Sequence, residues 1–255
     1  MHTFWKTAVI AMILGAAAGA EPLNIQGGAG IWNASPSGSL RYENSSWVSA
    51  EDGLGYSTEI TPYLWVNIEH TLPYYIPNLR LEYTGIDYSG RTNGIVGWGP
   101  WSYSDNALSK MRISEYDSIL YYTLLDKNFW MKLDIGVDLK FINARYSIQD
   151  DYGFEATYSE SDNFFVPQGY LRARAQIPNT QIGIETNLQY AGSGNSELYD
   201  MRFKTDYTFK DLWPNTQPAV EVGYRKQRIL IDEDDYNTKI DIDLSGFYVG
   251  AMCRF

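Results

Sequence analysis

Apolar and polar residues alternate with a period of two over much of this chain. The cleanest run sets Met131, Leu133, Ile135, Val137, Leu139 and Phe141 against Lys132, Asp134, Gly136, Asp138 and Lys140. A period of two sends successive side chains to opposite faces of a strand, whereas helical spacing here mixes charged with apolar residues. About ten such segments follow one another. The first is near Ile25 to Asn33. The second sets Leu64, Val66 and Ile68 against Trp65, Asn67 and Glu69, and the third sets Leu79, Leu81 and Tyr83 against Arg80, Glu82 and Thr84. The fourth, Tyr116 to Leu124, is apolar on both faces, and the Met131 run is the fifth.

In the sixth, Leu171, Ala173 and Ala175 oppose Tyr170, Arg172, Arg174 and Gln176. The seventh opposes Ile182, Ile184, Leu188 and Tyr190 to Glu185, Asn187 and Gln189. The eighth opposes Met201, Phe203, Tyr207 and Phe209 to Arg202, Lys204 and Asp206, and the ninth Val220, Val222 and Tyr224 to Glu221 and Arg225. The tenth ends the chain, with Phe247, Val249, Ala251, Cys253 and Phe255 on one face. From Ile240 to Leu244 the apolar residues are even-numbered, and from Phe247 they are odd-numbered. One extra residue reverses the faces, so a β-bulge is expected near Ser245-Gly246.

A soluble sandwich alternates in the same way. The connections separate the two. One set is short and repeats a Pro-Asn pair at Pro77-Asn78, Pro178-Asn179 and Pro214-Asn215, which favours tight turns. Aromatics flank these turns, at Tyr74, Tyr75, Phe129, Trp130 and Trp213. The alternate set is longer and more polar: 35–59, 89–113 and 149–163. Short turns with an aromatic girdle on one side and long loops on the other predict a transmembrane, antiparallel, up-and-down β-barrel. An even strand count brings both termini to the periplasmic side. Ten strands fit, with eight as the alternative if the first or fourth segment does not pair.

The amino terminus agrees. Lys6, the apolar run 7–15 and Ala18-Gly19-Ala20 read as a secretory signal peptide over 1–20, with a mature chain over 21–255 beginning at Glu21. No Cys near the cleavage site suggests a lipoprotein, and the single Cys253 forbids an internal disulfide. A formal net charge of −11 argues against nucleic acid as a partner. The chain is long enough for a soluble core, yet a barrel needs none if apolar groups face lipid and polar groups face the lumen.

The terminal strand, apolar on one face and ending on Phe255, resembles the C-terminal signature of bacterial outer-membrane barrels, which their assembly machinery reads. A wider resemblance rests on Tyr63-Leu64-Trp65-Val66-Asn67-Ile68-Glu69-His70, Leu72-Pro73, Pro77-Asn78 and Arg80-Leu81-Glu82-Tyr83-Thr84. Tyr116-Asp117, Leu120-Tyr121-Tyr122, Leu124-Leu125-Asp126 and Leu133-Asp134-Ile135-Gly136-Val137 extend it. These blocks resemble an uncharacterised family of small outer-membrane β-barrels of Gram-negative bacteria. The resemblance implies a bacterial outer-membrane location, with lipid, lipopolysaccharide and the assembly machinery as partners of a monomer. It implies no activity.

Candidate chemistry is sparse. After the signal peptide only His70 remains, at a periplasmic turn, so no general base of this type reaches the outer rim. No Ser/His/Asp set or Cys/His cluster can be assembled, and no cofactor is expected. Gly27-Gly28-Ala29-Gly30 lacks the spacing of a phosphate loop; glycines within a strand allow curvature or a bulge. Asp232-Glu233-Asp234-Asp235 is either a cation site or a solvated tip. Trp98, Trp101 and Tyr103 either contact a partner or pack on the rim.

The fullest constellation is the inward face. It carries Glu69, Arg80, Glu82, Asp117, Lys132, Asp134, Asp138, Lys140, Arg172, Arg174, Glu185, Arg202, Lys204, Asp206, Glu221 and Arg225. Acids and bases nearly balance, so a narrow barrel would hold them as a paired plug or as the lining of a narrow pore. The expected function is non-enzymatic: a structural or surface-interaction role through long extracellular loops, or else a channel for ions or small solutes.

Overall fold

In a computed structural model, residues 23–43, 45–70, 75–98, 101–125, 130–150, 157–210, 213, 216–232 and 238–255 are described. The signal peptide, Tyr74, Phe129, Pro214-Asn215 and residues 233–235 of the acidic tip lie outside them. Thirteen strands follow in order: β1 (Asn24–Tyr42), β2 (Val48–Ser49), β3 (Glu59–Glu69), β4 (Asn78–Arg91), β5 (Val96–Trp98), β6 (Trp101–Tyr103), β7 (Leu108–Leu125), β8 (Met131–Gln149), β9 (Thr157–Gln176), β10 (Ile182–Ser193), β11 (Ser196–Thr208), β12 (Gln217–Ile231) and β13 (Thr238–Arg254).

Ten of them form one antiparallel barrel. Each pairs with its neighbour along the chain, and β13 closes on β1 from Gln26↔Arg254 to Tyr42↔Thr238. The short strand β2 leans on β1, and β5 and β6 form a separate hairpin. All ten expected segments are strands of the wall. Closure leaves the barrel without an edge strand, which a sheet that crosses a membrane requires.

The strands are longer than the period-two runs suggested. A tilted strand crosses a bilayer in ~9–11 residues, yet β8 has 19 residues and β9 has 20. Parts of the expected loops 35–59, 89–113 and 149–163, namely 35–42, 89–91, 108–113 and 157–163, are therefore wall that rises above the membrane. Polarity reverses where it does so. On β8, outward Met131 to Phe141 are apolar and inward Lys132, Asp134, Asp138 and Lys140 are polar. Beyond Phe141 the outward residues are Asn143, Arg145 and Ser147, and the inward ones are Ile142, Ala144, Tyr146 and Ile148.

The same inversion replaces the expected bulge on β13. Its register runs without a shift from Ile240↔Ile231 through Gly246↔Arg225 to Arg254↔Gln217. Even-numbered residues face inward throughout. The apolar set changes parity because lipid surrounds the lower strand and water the upper one. Gly246 is required for another reason: Trp32 Nε1 donates to its carbonyl at 3.2 Å, and a β-carbon there would collide with the Asn33 carbonyl. The ladder with β1 skips Asn33 and Ala34 there without changing register, and a register shift occurs on β7, between Thr123 and Leu125.

Above the inversion the barrel holds an apolar core. Trp32, Leu40, Ile86, Tyr88, Met111, Ile113, Ile142, Ile229, Ile242 and Leu244 are buried in it. Leu54 and Tyr56 from the β2–β3 connection enter it, as do Val96 and Trp98 of β5 and Tyr103 of β6. Tyr56 hydrogen-bonds Ser109 Oγ at 2.8 Å, and burial pushes both its phenol and that of Tyr146 up. The expectation that a barrel needs no core holds only for the membrane half.

Candidate functional site

Period two places the lumen residues. On β4, Arg80, Glu82 and Thr84 point inward; on β8, Lys132, Asp134, Asp138 and Lys140; on β9, Arg172 and Arg174; on β11, Asp200, Arg202, Lys204 and Asp206. Glu69 of β3, Glu185 of β10, and Glu221 and Arg225 of β12 complete the ring. Most are buried, and the outward neighbours on the same strands face lipid.

One part of the network runs around the wall. Arg172 donates to Asp134 at 3.0 Å and to Glu185 at 2.7 Å. Arg174 reaches Glu185 at 3.2 Å and Asp206 at 2.5 Å, and Lys204 reaches Glu185 at 3.3 Å and Glu221 at 2.9 Å. Lys140 meets Asp117 of β7 at 2.5 Å.

The other part spans the lumen. Arg202 pairs with Glu82, which Arg80 also binds, and Lys132 pairs with Glu69. Arg225 binds Asp200 at 2.6 Å, then crosses to Thr84 Oγ1 at 2.9 Å and Glu115 of β7 at 3.3 Å. Aromatic faces carry the remaining cationic surface. Arg80 and Lys204 lie over Trp65, and Arg225 lies over Trp32, the two guanidinium carbons each 4.5 Å from the ring. Tyr63 donates to Glu221 at 2.8 Å. Among Trp65, Arg80, Arg202, Lys204 and Tyr248 the remaining space is about 20 Å³. That is room for about one water, since a bound water needs ~10–15 Å³ on this measure.

Gly28 belongs to this packing. A β-carbon there would lie 2.7 Å from Trp65 Nε1, so the small residue admits the indole and supplies neither a bulge nor a phosphate cradle.

Three members of the network escaped the sequence reading. Asp200 and Glu115 sit one residue outside the expected strands, and carrying the period one step further would have found them. Arg254 closes the periplasmic end by binding Asp206 at 2.8 Å. Ile119 and Tyr121 pack on Tyr170 low in the lumen, which is why the fourth segment looked apolar on both faces.

The other candidates fall apart spatially. His70 Nε2 lies 3.0 Å from the Pro77 carbonyl and its backbone N–H donates to Asn78, so it ties a periplasmic turn. Asp232 is bound by Lys239 at 2.8 Å and Arg41 at 3.6 Å. Trp98 and Tyr103 are buried in the upper core while Trp101 is exposed. No group of His, Cys, Asp or Glu suited to a metal occurs among the described residues. Phe247, Val249, Ala251 and Cys253 form the outward face of β13, and Phe255, exposed, follows its last residue.

The outer surface decides the setting. Below the inversion, exposed Leu64, Leu81, Leu120, Ile135, Val137, Leu171, Leu188, Val220, Val222 and Val249 make a continuous apolar band. Tyr83, Tyr116, Phe141, Phe165, Tyr224 and Phe247 rim it above, and Tyr75, Tyr122, Trp130, Tyr207, Phe209 and Trp213 rim it below. Such a band between two aromatic girdles is a lipid contact.

The protein is an outer-membrane β-barrel.

No family model and no curated protein matches the chain. Among solved structures it is similar to the outer membrane protease OmpT of Escherichia coli, with a TM-score of 0.53 at 11% identity over 91% of this chain and 96% of that one. Neisserial surface protein A matches with a TM-score of 0.35 at 15% identity, over 93% of this chain and 99% of that one. The toluene transporter TodX of Pseudomonas putida matches at 0.32 and 8%, over 92% and 90%. The first of these likenesses extends to the barrel fold alone.

Proposed function

We propose that this protein is a closed, non-enzymatic barrel that carries a rigid extracellular extension for a structural or surface-interaction role. The observation behind this reading is the double seal: side chains cross the lumen at membrane level, and an apolar core fills the barrel above them. The surface it offers is an elongated wall with a packed hairpin cap, in place of long free loops. A Gram-negative outer membrane is its setting. It sits there as a monomer among lipid and lipopolysaccharide, inserted by the assembly machinery through Phe247, Val249, Ala251, Cys253 and Phe255. The barrel of a protease has a similar fold, but His70 ties a periplasmic turn and lies far from the outer rim.

Planar-bilayer recording on the refolded protein tests the reading against the narrow channel. The closed barrel gives no steady conductance, and neither does Arg202→Ala combined with Arg225→Ala, because the apolar core above still seals the lumen. Steady unit conductance of the unmutated protein would hand the case to the channel.

A further inference from the structure

The wall opens between β9 and β10. The ladder between β9 and β10 runs from Gln176↔Gly183 to Gly169↔Tyr190 and stops. Above it β10 turns back into β11 through the tight link between Ser193 and Ser196, whereas β9 continues to Thr157 paired with β8 alone. Pro167 stands on this free stretch. Proline has no N–H for a ladder and is confined to edges and bulges, so the residue fits a strand that has lost its neighbour.

A cavity of about 460 Å³ occupies the gap. Four consecutive residues of β9 line it: Phe164, Phe165, Val166 and Pro167. Neighbours along a strand point to opposite faces, so one cavity touches all four only if it passes the strand's edge and joins the two sides of the wall. Its inner lining includes Leu198 and Ile231, which are part of the upper apolar core. Its outer lining includes Phe165, which pairs in register with Phe141 of the upper girdle. The cavity therefore continues the lipid-facing band into the barrel. Its volume falls within the ~300–1,000 Å³ usual for ligand pockets. The side chains that line it are apolar except for Ser193 and Ser196 at the hairpin tip.

We propose that the gap between β9 and β10 is a lateral binding site for one acyl chain of a membrane lipid. The membrane is the source because the opening is level with the outer girdle, where chains already touch Phe165. The gap also lies high enough for water to satisfy the free β9 edge, which the middle of the bilayer could not do.

Reconstitution of the full mature barrel in phosphatidylcholine vesicles carrying a diazirine at mid-chain tests this. After irradiation, peptide mapping by mass spectrometry is expected to find adducts on inward-facing Phe164, Leu198 or Ile231, in addition to the outer band. Ala191→Trp fills the cavity and should reduce the inward adducts at least tenfold while those on Val137 and Val222 persist. Those band adducts report that the variant is folded. Should it not insert, Ser196→Phe narrows the same space and is read in the same way. Adducts confined to outward-facing residues in the unmutated barrel would overturn the proposal. So would inward adducts that neither filling variant reduces, or that appear only with a free diazirine fatty acid added from the water.

Discussion

The two halves of this barrel use one strand period for opposite purposes. In the membrane half the outward face is apolar because lipid is the solvent, and the lumen is polar and held by ion pairs. In the extracellular half water lies outside, so Arg112 pairs with Asp87 and Arg228 with Asp241 on the outer wall, while isoleucines and aromatics pack within. The lower half is inside out and the upper half is an ordinary water-soluble core wrapped in the same ten strands. The medium, and not the strand, sets which face is greasy.

The comparison breaks most readily at the lumen. Arg225→Ala removes the partner that Asp200 and Glu115 share, together with the contacts to Thr84 and the Trp32 ring. It leaves Asp200 to Arg202, and Glu115 to Gln227 and Lys140. The cost therefore stays below the ~3–5 kcal/mol of a buried charge left wholly unpaired. The temperature at which the folded gel band converts to the unfolded band should fall sharply. An effect no larger than that of outward Arg145→Ala would mean that the lumen is hydrated and the struts are weak. Arg174→Ala should do less, because its side chain is more exposed than that of Arg225, while Arg172 and Lys204 still hold Glu185 and Arg254 still holds Asp206.

A second test moves one residue type along one face of one strand. Val137→Arg places a charge in the lipid band and costs about 2–4 kcal/mol near the midplane. Ser147→Arg lies on the same outward face of β8 above the girdle, and should stay within about 0.5 kcal/mol of the parent. Equal costs for the two, read from urea unfolding in vesicles, would erase the boundary placed at Phe141.

Smaller still is the loss of one methyl. Ile242→Val leaves a void in a packed core and should cost about 0.5–1.5 kcal/mol. Ile135→Val on the lipid face should cost less, because acyl chains fill the space. The same unfolding measurement ranks them, and the reverse order would argue against a close-packed upper core.

The last test is a pH dependence confined to the upper half. Burial, reinforced by nearby Glu160, pushes the Asp162 carboxyl above the usual carboxylate range, against the pull of its hydrogen bond with Thr238. A raised value means that the folded state favours the protonated acid. Its contribution is complete below the ordinary carboxylate value and is lost as pH rises through the raised one. Asp162→Asn should therefore raise the melting temperature slightly at neutral pH. It should also flatten the melting profile above the ordinary carboxylate range. A profile unchanged by the substitution would place the carboxylate in water.

Much of this was legible along the chain. The run from Met131 to Phe141 announced its strand, its lipid face and its lumen face together, because a period of two is a local property of the backbone. The parity change between Leu244 and Phe247 was equally visible and was misread. A bulge and a change of solvent leave the same mark in a sequence, and the unbroken register with β12 is what separates them. Asp200 and Glu115 were missed because the lipid pattern fades at the boundary, where inward residues begin to trade charge for apolar surface.

The sequence by itself determined the strands, their faces, their short and long connections and the balance of charge in the lumen. Each of these follows from residues a few positions apart, or from composition. Only the tertiary structure decided which charges meet. Arg202 and Glu82 are 120 residues apart and pair because closure of the sheet brings β11 opposite β4. It also decided where the wall opens, because the end of a ladder depends on two strands of unequal height. Period two records which way a side chain points; what it points at is set by the curvature and closure of the whole sheet.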